Sequence, residues 1–91
     1  MKVNIEKSFD RDVSRVKDKN LLKSLLDVIS LIENSKFIYK IPHIKKIQGF
    51  HSLYRIKIGD YRLGIEEVTG QEVNLIRFLH RKEIYRYFPS K

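Results

Sequence analysis

The stretch Leu53-Tyr54-Arg55-Ile56-Lys57-Ile58-Gly59-Asp60-Tyr61-Arg62-Leu63-Gly64-Ile65 decides how the chain is read. Apolar and polar residues alternate on both sides of Gly59-Asp60, and alternation with a period of two marks strands with one buried face. Gly59-Asp60 reads as a two-residue hairpin loop, which sets the pairing: Ile58 opposite Tyr61, Lys57 opposite Arg62, Ile56 opposite Leu63, Arg55 opposite Gly64, Tyr54 opposite Ile65. One face then carries Tyr54, Ile56, Ile58, Tyr61, Leu63 and Ile65, and the other Arg55, Lys57 and Arg62 around Gly64. Like charges directly opposite in a ladder lower stability by about a few tenths of a kcal/mol, so folding alone gives no reason for Lys57 to face Arg62. An anionic ligand gives one; a solvated cationic face is the alternative. Gly64 would let a nucleotide approach the backbone, or is an ordinary strand glycine.

Working outward, further strands are expected over Ile44 to Gln48, Leu53 to Ile58, Tyr61 to Val68 and Glu72 to Leu79. A second hairpin, from Val68 to Glu72 through Thr69-Gly70-Gln71, keeps Ile65 and Ile76 on the core face only in certain registers, and in those Arg77 joins the cations. Towards the N-terminus, Val3 and Ile5 suggest a short strand before Ser8, read as the N-cap of a first helix with Phe9, Val13 and Val16 on one stripe. After the polar break Lys17-Asp18-Lys19-Asn20, with Asp18 or Asn20 as cap, Leu22, Leu25, Leu26, Ile29 and Ile32 form the stripe of a second helix that ends near Asn34-Ser35. Pro42 marks the connecting loop. The fold class is α+β: an N-terminal strand, a two-helix hairpin and a curved antiparallel sheet with a short C-terminal helix, in a single domain spanning 1–91.

With 91 residues, of which 42% are hydrophobic, the chain suffices for one core. Cysteine is absent and the three histidines, at 43, 51 and 80, lack ligand-like spacing, so no metal or other cofactor is expected. No apolar run approaches the roughly 20 residues of a membrane helix, and the N-terminus does not resemble a signal peptide, so a soluble cytoplasmic protein with no membrane partner is expected. Nineteen Lys and Arg against eleven Asp and Glu give a formal charge of +8, which favours polyanions as partners.

The tail His80-Arg81-Lys82-Glu83-Ile84-Tyr85-Arg86-Tyr87-Phe88-Pro89 interleaves cations and aromatics, as surfaces that bind phosphates and stack bases do. A short helix from Lys82 would leave His80 and Arg81 at the strand end beside the cationic face, with Tyr85 one turn on. RNA cleavage by 2′-hydroxyl attack needs a base, an acid and cations for the phosphorane. His80 is the side chain type that titrates nearest neutrality, Lys57 is a candidate base between Arg55 and Arg62, and Tyr85 could stack on a base or assist proton transfer. The structural reading makes His80 a strand-end residue and Tyr85, Tyr87 and Phe88 an aromatic closure of the core; it is preferred for Tyr87 and Phe88. His43 and His51 have no neighbouring chemistry and are assigned no role.

Lys45-Lys46-Ile47-Gln48-Gly49 followed by Leu53 to Leu63 resembles the central hairpin of RelE/ParE-family toxins, and His80-Arg81-Lys82-Glu83-Ile84-Tyr85 resembles their HR-x-[DE]-[VI]-Y ending. With the β-αα-ββββ order, the resemblance covers nearly the whole chain. It implies the toxin of a type II toxin–antitoxin pair, neutralised by a cognate antitoxin protein in a hetero-oligomeric complex. RelE-type members cut mRNA on the ribosome and arrest translation and growth; ParE-type members inhibit DNA gyrase, and an inactive RNA-binding relative is a further alternative. Carried over by position, Arg55 and Lys57 match the basic pair of the first hairpin strand, Arg62 the second-strand arginine, Arg81 the basic residue before the last helix, and Tyr85 its tyrosine. With His80 these are the expected catalytic residues of a metal-independent endoribonuclease, and Lys45, Lys46, Arg77, Lys82 and Arg86 the expected RNA-binding ones. Retention of the whole basic set favours the nuclease, because poisoning by binding needs no acid or base. Leu79 departs from the glycine frequent in the family before the His-Arg pair.

Overall fold

A computed structural model describes residues 1–89; Ser90 and Lys91, the end of the expected domain 1–91, lie outside the described residues. The elements are β1 (Lys2–Ile5), α1 (Lys7–Ser14), α2 (Lys19–Asn34), a 3-10 turn (Ile38–Lys40), β2 (Ile44–Lys46), β3 (Leu53–Ile58), β4 (Tyr61–Thr69), β5 (Glu72–His80) and α3 (Ile84–Tyr87). The sheet order is β1-β5-β4-β3-β2. Strands β2 to β5 are antiparallel, while β1 adds to β5 in parallel, so the five-stranded sheet is mixed.

The β3–β4 hairpin has the register its alternation predicts, from Ile58 opposite Tyr61 to Tyr54 opposite Ile65. Gly59 has φ +58°, and positive φ at the first central residue is what a tight hairpin turn with glycine there requires. The second hairpin differs from a regular ladder. Gly64 pairs with Arg77 but Ile65 pairs with Leu75, so Ile76 is an extra residue on β5. The bulge puts Leu75, fully buried, into the core where Ile76 was expected, and turns Arg77 to the face of Gly64 and Arg55.

The helices cover the apolar face. Asp18 caps α2, its carboxylate accepting from the N–H groups of Asn20 and Leu21. Leu25 and Ile32 are buried against Ile56, Leu63, Ile65, Val73 and Leu75, whereas Leu26, expected on the same stripe, is 65% exposed. One residue further round the helix is about 100° of rotation, enough to carry Leu26 off the seam. The first helix begins at Lys7, with Glu6 in the N-cap position, so Ser8 lies inside its first turn and is not a cap. The Ser8 hydroxyl instead donates to the carbonyl of Ile76 at 2.6 Å.

That bond belongs to a seal along the β5 edge. Strand β1 covers β5 only as far as Leu75, where Glu6 N donates to the Leu75 carbonyl at 3.0 Å. Beyond it the side chains of α1 replace a strand: Ser8 takes the Ile76 carbonyl, and the Asp12 carboxylate accepts from Phe78 N at 2.9 Å. An edge satisfied in this way offers no open template for another strand. Asp12 is buried and also receives Nε and Nη2 of Arg77 at 2.7 and 2.9 Å.

The last helix crosses the opposite face. A Cβ at Gly64 would meet the Phe88 ring at 2.7 to 2.9 Å, so the glycine is a notch for Phe88, not an opening for a nucleotide as the sequence suggested. Ile84 and Phe88 are buried there, in keeping with the structural reading of Phe88, while Tyr87 remains 48% exposed under the Arg77 guanidinium, 5.1 Å from the ring centre. Helix α3 starts at Ile84, after a turn over Arg81 to Glu83, rather than at Lys82.

Asp12→Ala strands a guanidinium and a strand N–H; broken buried pairs cost 3–5 kcal/mol, and with Arg77 22% exposed the loss should fall near the low end, about 3 kcal/mol in a urea melt. Gly64→Ala should lose about 1–3 kcal/mol by overpacking against Phe88. In a Phe88→Ala background, itself less stable by about 3–5 kcal/mol, the added Gly64→Ala should cost clearly less than it does in the parent.

Candidate nucleic-acid interface

The pleat of β2, β3 and β4 gathers the cations. Lys45 stands opposite Arg55, Arg55 opposite Gly64, and Lys57 opposite Arg62, so two like-charged pairs lie side by side on one face. Among the described residues only Arg77, Arg81 and Arg86 have a carboxylate within ion-pair distance; Lys45, Lys46, Arg55, Lys57 and Arg62 have none. The repulsion is therefore uncompensated by the protein's own acids. Glu66, on the same face, is turned to the amide of Asn74 at 3.2 Å and not to a cation.

The backbone aims two of these cations. His43, in the left-handed region at φ +62°, presents its carbonyl to Nη1 of Arg55 at 3.1 Å and to Lys57 N at 3.2 Å. Such a conformation costs on the order of 1–3 kcal/mol in a non-glycine residue and persists only where its surroundings hold it. Arg62 Nη1 donates to the carbonyls of Gly59 and Tyr61, both at 2.9 Å, which folds its guanidinium towards the turn. Arg81 reaches the same turn: its N–H donates to the Asp60 carbonyl at 2.7 Å, and its Nε lies 4.0 Å from the exposed Asp60 carboxylate.

Tyr85, 60% exposed on α3, lines a depression of about 310 Å³ with Lys45, Lys46, Ile47, Gln48 and Arg55. Across α3 lies a separate depression with Arg77, Leu79 and Tyr87, and Leu79 pairs with Arg62 in the sheet. Arg77 is on the cationic face as expected, but its guanidinium is committed to Asp12. Arg86 leans on Glu83 at 3.8 Å, and Lys82 is exposed in the turn.

His80 is displaced from the expected cluster. It pairs with Tyr61, and the Tyr61 and His80 rings meet edge-on at 5.7 Å, so its side chain belongs to the helix-facing row with Phe78, opposite Lys57 and Arg62. Its Nδ1 accepts from Lys82 N at 3.1 Å. The structural reading of His80 fits these contacts: it lies three residues beyond Arg77, an odd step along the strand, so the pleat turns it away from the cationic face that Arg77 and Leu79 share.

The family model described as "ParE toxin of type II toxin-antitoxin system, parDE" matches residues 3–85. The chain belongs to the RelE/ParE toxin family. It is 42% identical to Toxin RelE3 of Methanocaldococcus jannaschii over 90 residues, which cover 98% of this chain and all of that one. The toxin structure in the RelB–RelE complex from Methanococcus jannaschii superposes with a TM-score of 0.78 at 40% identity, covering 94% of this chain and 99% of the other. The chain from the RelE–RelB complex of Pyrococcus horikoshii, at 20% identity and a TM-score of 0.69 over 88% and 93% of the two chains, shares the fold. The protein is thus a RelE-like toxin of a type II toxin–antitoxin system. No helix among the described residues is long and apolar enough to cross a membrane.

On the other side of the sheet, burial and the Glu67 carboxylate, 3.5 Å away, raise the Tyr54 hydroxyl above its usual 10.0. The fold favours the neutral phenol, so this contribution is whole below about pH 10 and fades as pH rises through the raised value. Urea melts between about pH 9 and 11 should therefore decline less steeply for Tyr54→Phe than for the parent.

Proposed function

We propose that this toxin is an endoribonuclease that cuts mRNA on the ribosome and so stops translation. The observation that carries the reading is the facing pair Lys57 and Arg62, without carboxylate partners, on a face shared with Arg55 and Lys45 and bordered by Tyr85. Phosphate is the complement such a surface lacks, and the phosphorane of RNA cleavage carries more charge than the substrate, so its stabilisation raises rate as well as affinity.

In this mechanism the RNA 2′-hydroxyl loses its proton to a base and attacks the adjacent phosphorus. The bond from phosphorus to the 5′-oxygen breaks, the leaving oxygen takes a proton, and the products carry a 2′,3′-cyclic phosphate and a 5′-hydroxyl. Arg62 and Arg81, converging on the Gly59-Asp60 turn, and Arg55, held by the His43 carbonyl, supply charge to the phosphorane. Lys57 and Tyr85 are the proton-transfer groups on that face, and the exposed Tyr85 ring also offers a stacking surface. Lys45 and Lys82 extend the phosphate track, while Lys46, whose partner in the ladder is Tyr54, alternates to the other side of the edge strand β2.

A cognate antitoxin neutralises the toxin in a hetero-oligomer. The +8 charge suits a partner with an acidic or amphipathic segment, and two related toxin structures were solved as complexes with RelB. The product of an adjacent gene should co-purify with the toxin and lose it when the antitoxin's C-terminal half is removed; independent behaviour of the two at micromolar concentration would refute this.

Mapping transcript ends after a pulse of expression tests the activity: new 5′-hydroxyl ends within coding regions are expected, with incorporation of labelled amino acid falling before that of labelled thymidine. The family model's ParE description makes gyrase the second reading, and early loss of thymidine incorporation with translation intact would select it. Lys57→Ala should slow single-turnover cleavage on programmed ribosomes about a hundred- to thousandfold, the loss of about 2.7–4 kcal/mol seen for a missing oxyanion donor. Because Lys57 faces only Arg62 and has no acidic partner, the variant should melt in urea no earlier than the parent. Arg62→Ala should lose similar activity but also about 0.5–1.5 kcal/mol of stability for each turn hydrogen bond removed.

A further inference from the structure

The depression beside Tyr85 does not end at the sheet. It shares Lys46, Ile47 and Gln48 with a second depression of about 390 Å³ that continues along the β2–β3 loop to Phe50 and His51. The two adjoin along that segment, and no Asp or Glu lines either. The loop is shaped to present rings at its end: Gly49 turns the backbone at φ +87°, and Phe50 N donates to the Ile47 carbonyl at 3.2 Å. Phe50 is left 38% exposed at the tip, with exposed His51 beside it and the exposed amide of Gln48 before it.

The exposed part of the Phe50 ring, beside a cationic depression, offers what unpaired RNA seeks, an aromatic surface for a base next to ammonium groups for the backbone. Gln48 adds a donor and an acceptor in one plane, suited to the edge of a base. We propose that the β2–β3 loop is a base-binding subsite in which Phe50 stacks on a nucleotide flanking the scissile phosphate, Gln48 reads its edge, and Lys45, opposite Arg55 on the cationic face, holds the phosphate between. The inference rests on the RNA-cleaving reading and deepens it by placing nucleotide preference on this loop.

The test uses the full chain and uncleavable single-stranded 2′-O-methyl RNA carrying 2-aminopurine at successive positions, whose fluorescence is quenched by stacking. Affinity is followed in parallel by anisotropy. Quenching at one position should vanish in Phe50→Ala and return in Phe50→Tyr, with affinity falling about tenfold in the alanine variant. Gln48→Ala should keep the quench and flatten the preference among bases at that position. A parent that binds the RNA with quenching indifferent to Phe50 overturns the subsite and leaves the RNA-cleaving reading standing. A parent that neither binds nor cuts RNA overturns both. Urea melts of each variant separate lost stacking from lost fold, and Gln48→Ala decides the case if Phe50→Ala does not fold.

Discussion

Asp12 is a carboxylate placed where a helix should carry an apolar residue, and three parts of the molecule meet on it. Its two oxygens take the forked guanidinium of Arg77 and the backbone N–H of Phe78, so one buried side chain joins α1 to the open edge of β5. The pair alone is no argument for stability, since an apolar pair of equal volume can do as well. Its value is directional: the fork fixes Arg77, which lies under α3 against Tyr87, and the N–H bond fixes the register at which α1 docks. The short β1 and the short α1 thereby behave as one edge-covering unit.

The cationic hairpin depends on that frame. Opposed like charges and an unfavourable backbone angle at His43 draw on stability, and the hairpin that carries the charges is anchored from behind by Ile56, Leu63 and Ile65. A packed core on one face tolerates electrostatic tension on the other because pleating separates the two sets of side chains completely. Removing the tension by neutralising a cation leaves the core untouched, which is why activity and stability are separable at Lys57 and less so at Arg62, whose guanidinium also braces the turn.

Local pattern carried most of this arrangement. The hairpin register followed from two turn residues, the α2 cap from one of two candidates, Asp18 or Asn20, of which Asp18 serves, and the family from the basic hairpin and the tail. What stayed hidden depends on contacts distant in sequence. The bulge at Ile76 answers to packing across β4, and a one-residue excess leaves no mark in a strand's composition. Gly64 looked like open space because its occupant, Phe88, arrives from a helix 24 positions on. His80, expected at the strand end beside the cations, faces the helices because three residues, an odd step in the pleat, separate it from Arg77. Asp12 was legible in principle: it sits three residues after Phe9 and four before Val16, inside the apolar stripe of α1, and a carboxylate there demands a buried partner.

The fit of Phe88 over Gly64 makes two positions answerable to each other. Their combined volume is fixed by the gap between the sheet and α3, so neither can drift alone through evolutionary time. Relatives with a side chain at the position of Gly64 should carry a smaller residue at that of Phe88, or a last helix seated higher on the sheet. Because Tyr85 rides on the same helix, the residue permitted at 64 sets the height of the tyrosine above the cations, and a change in one glycine would be inherited as a change in the shape of the depression that Tyr85 lines.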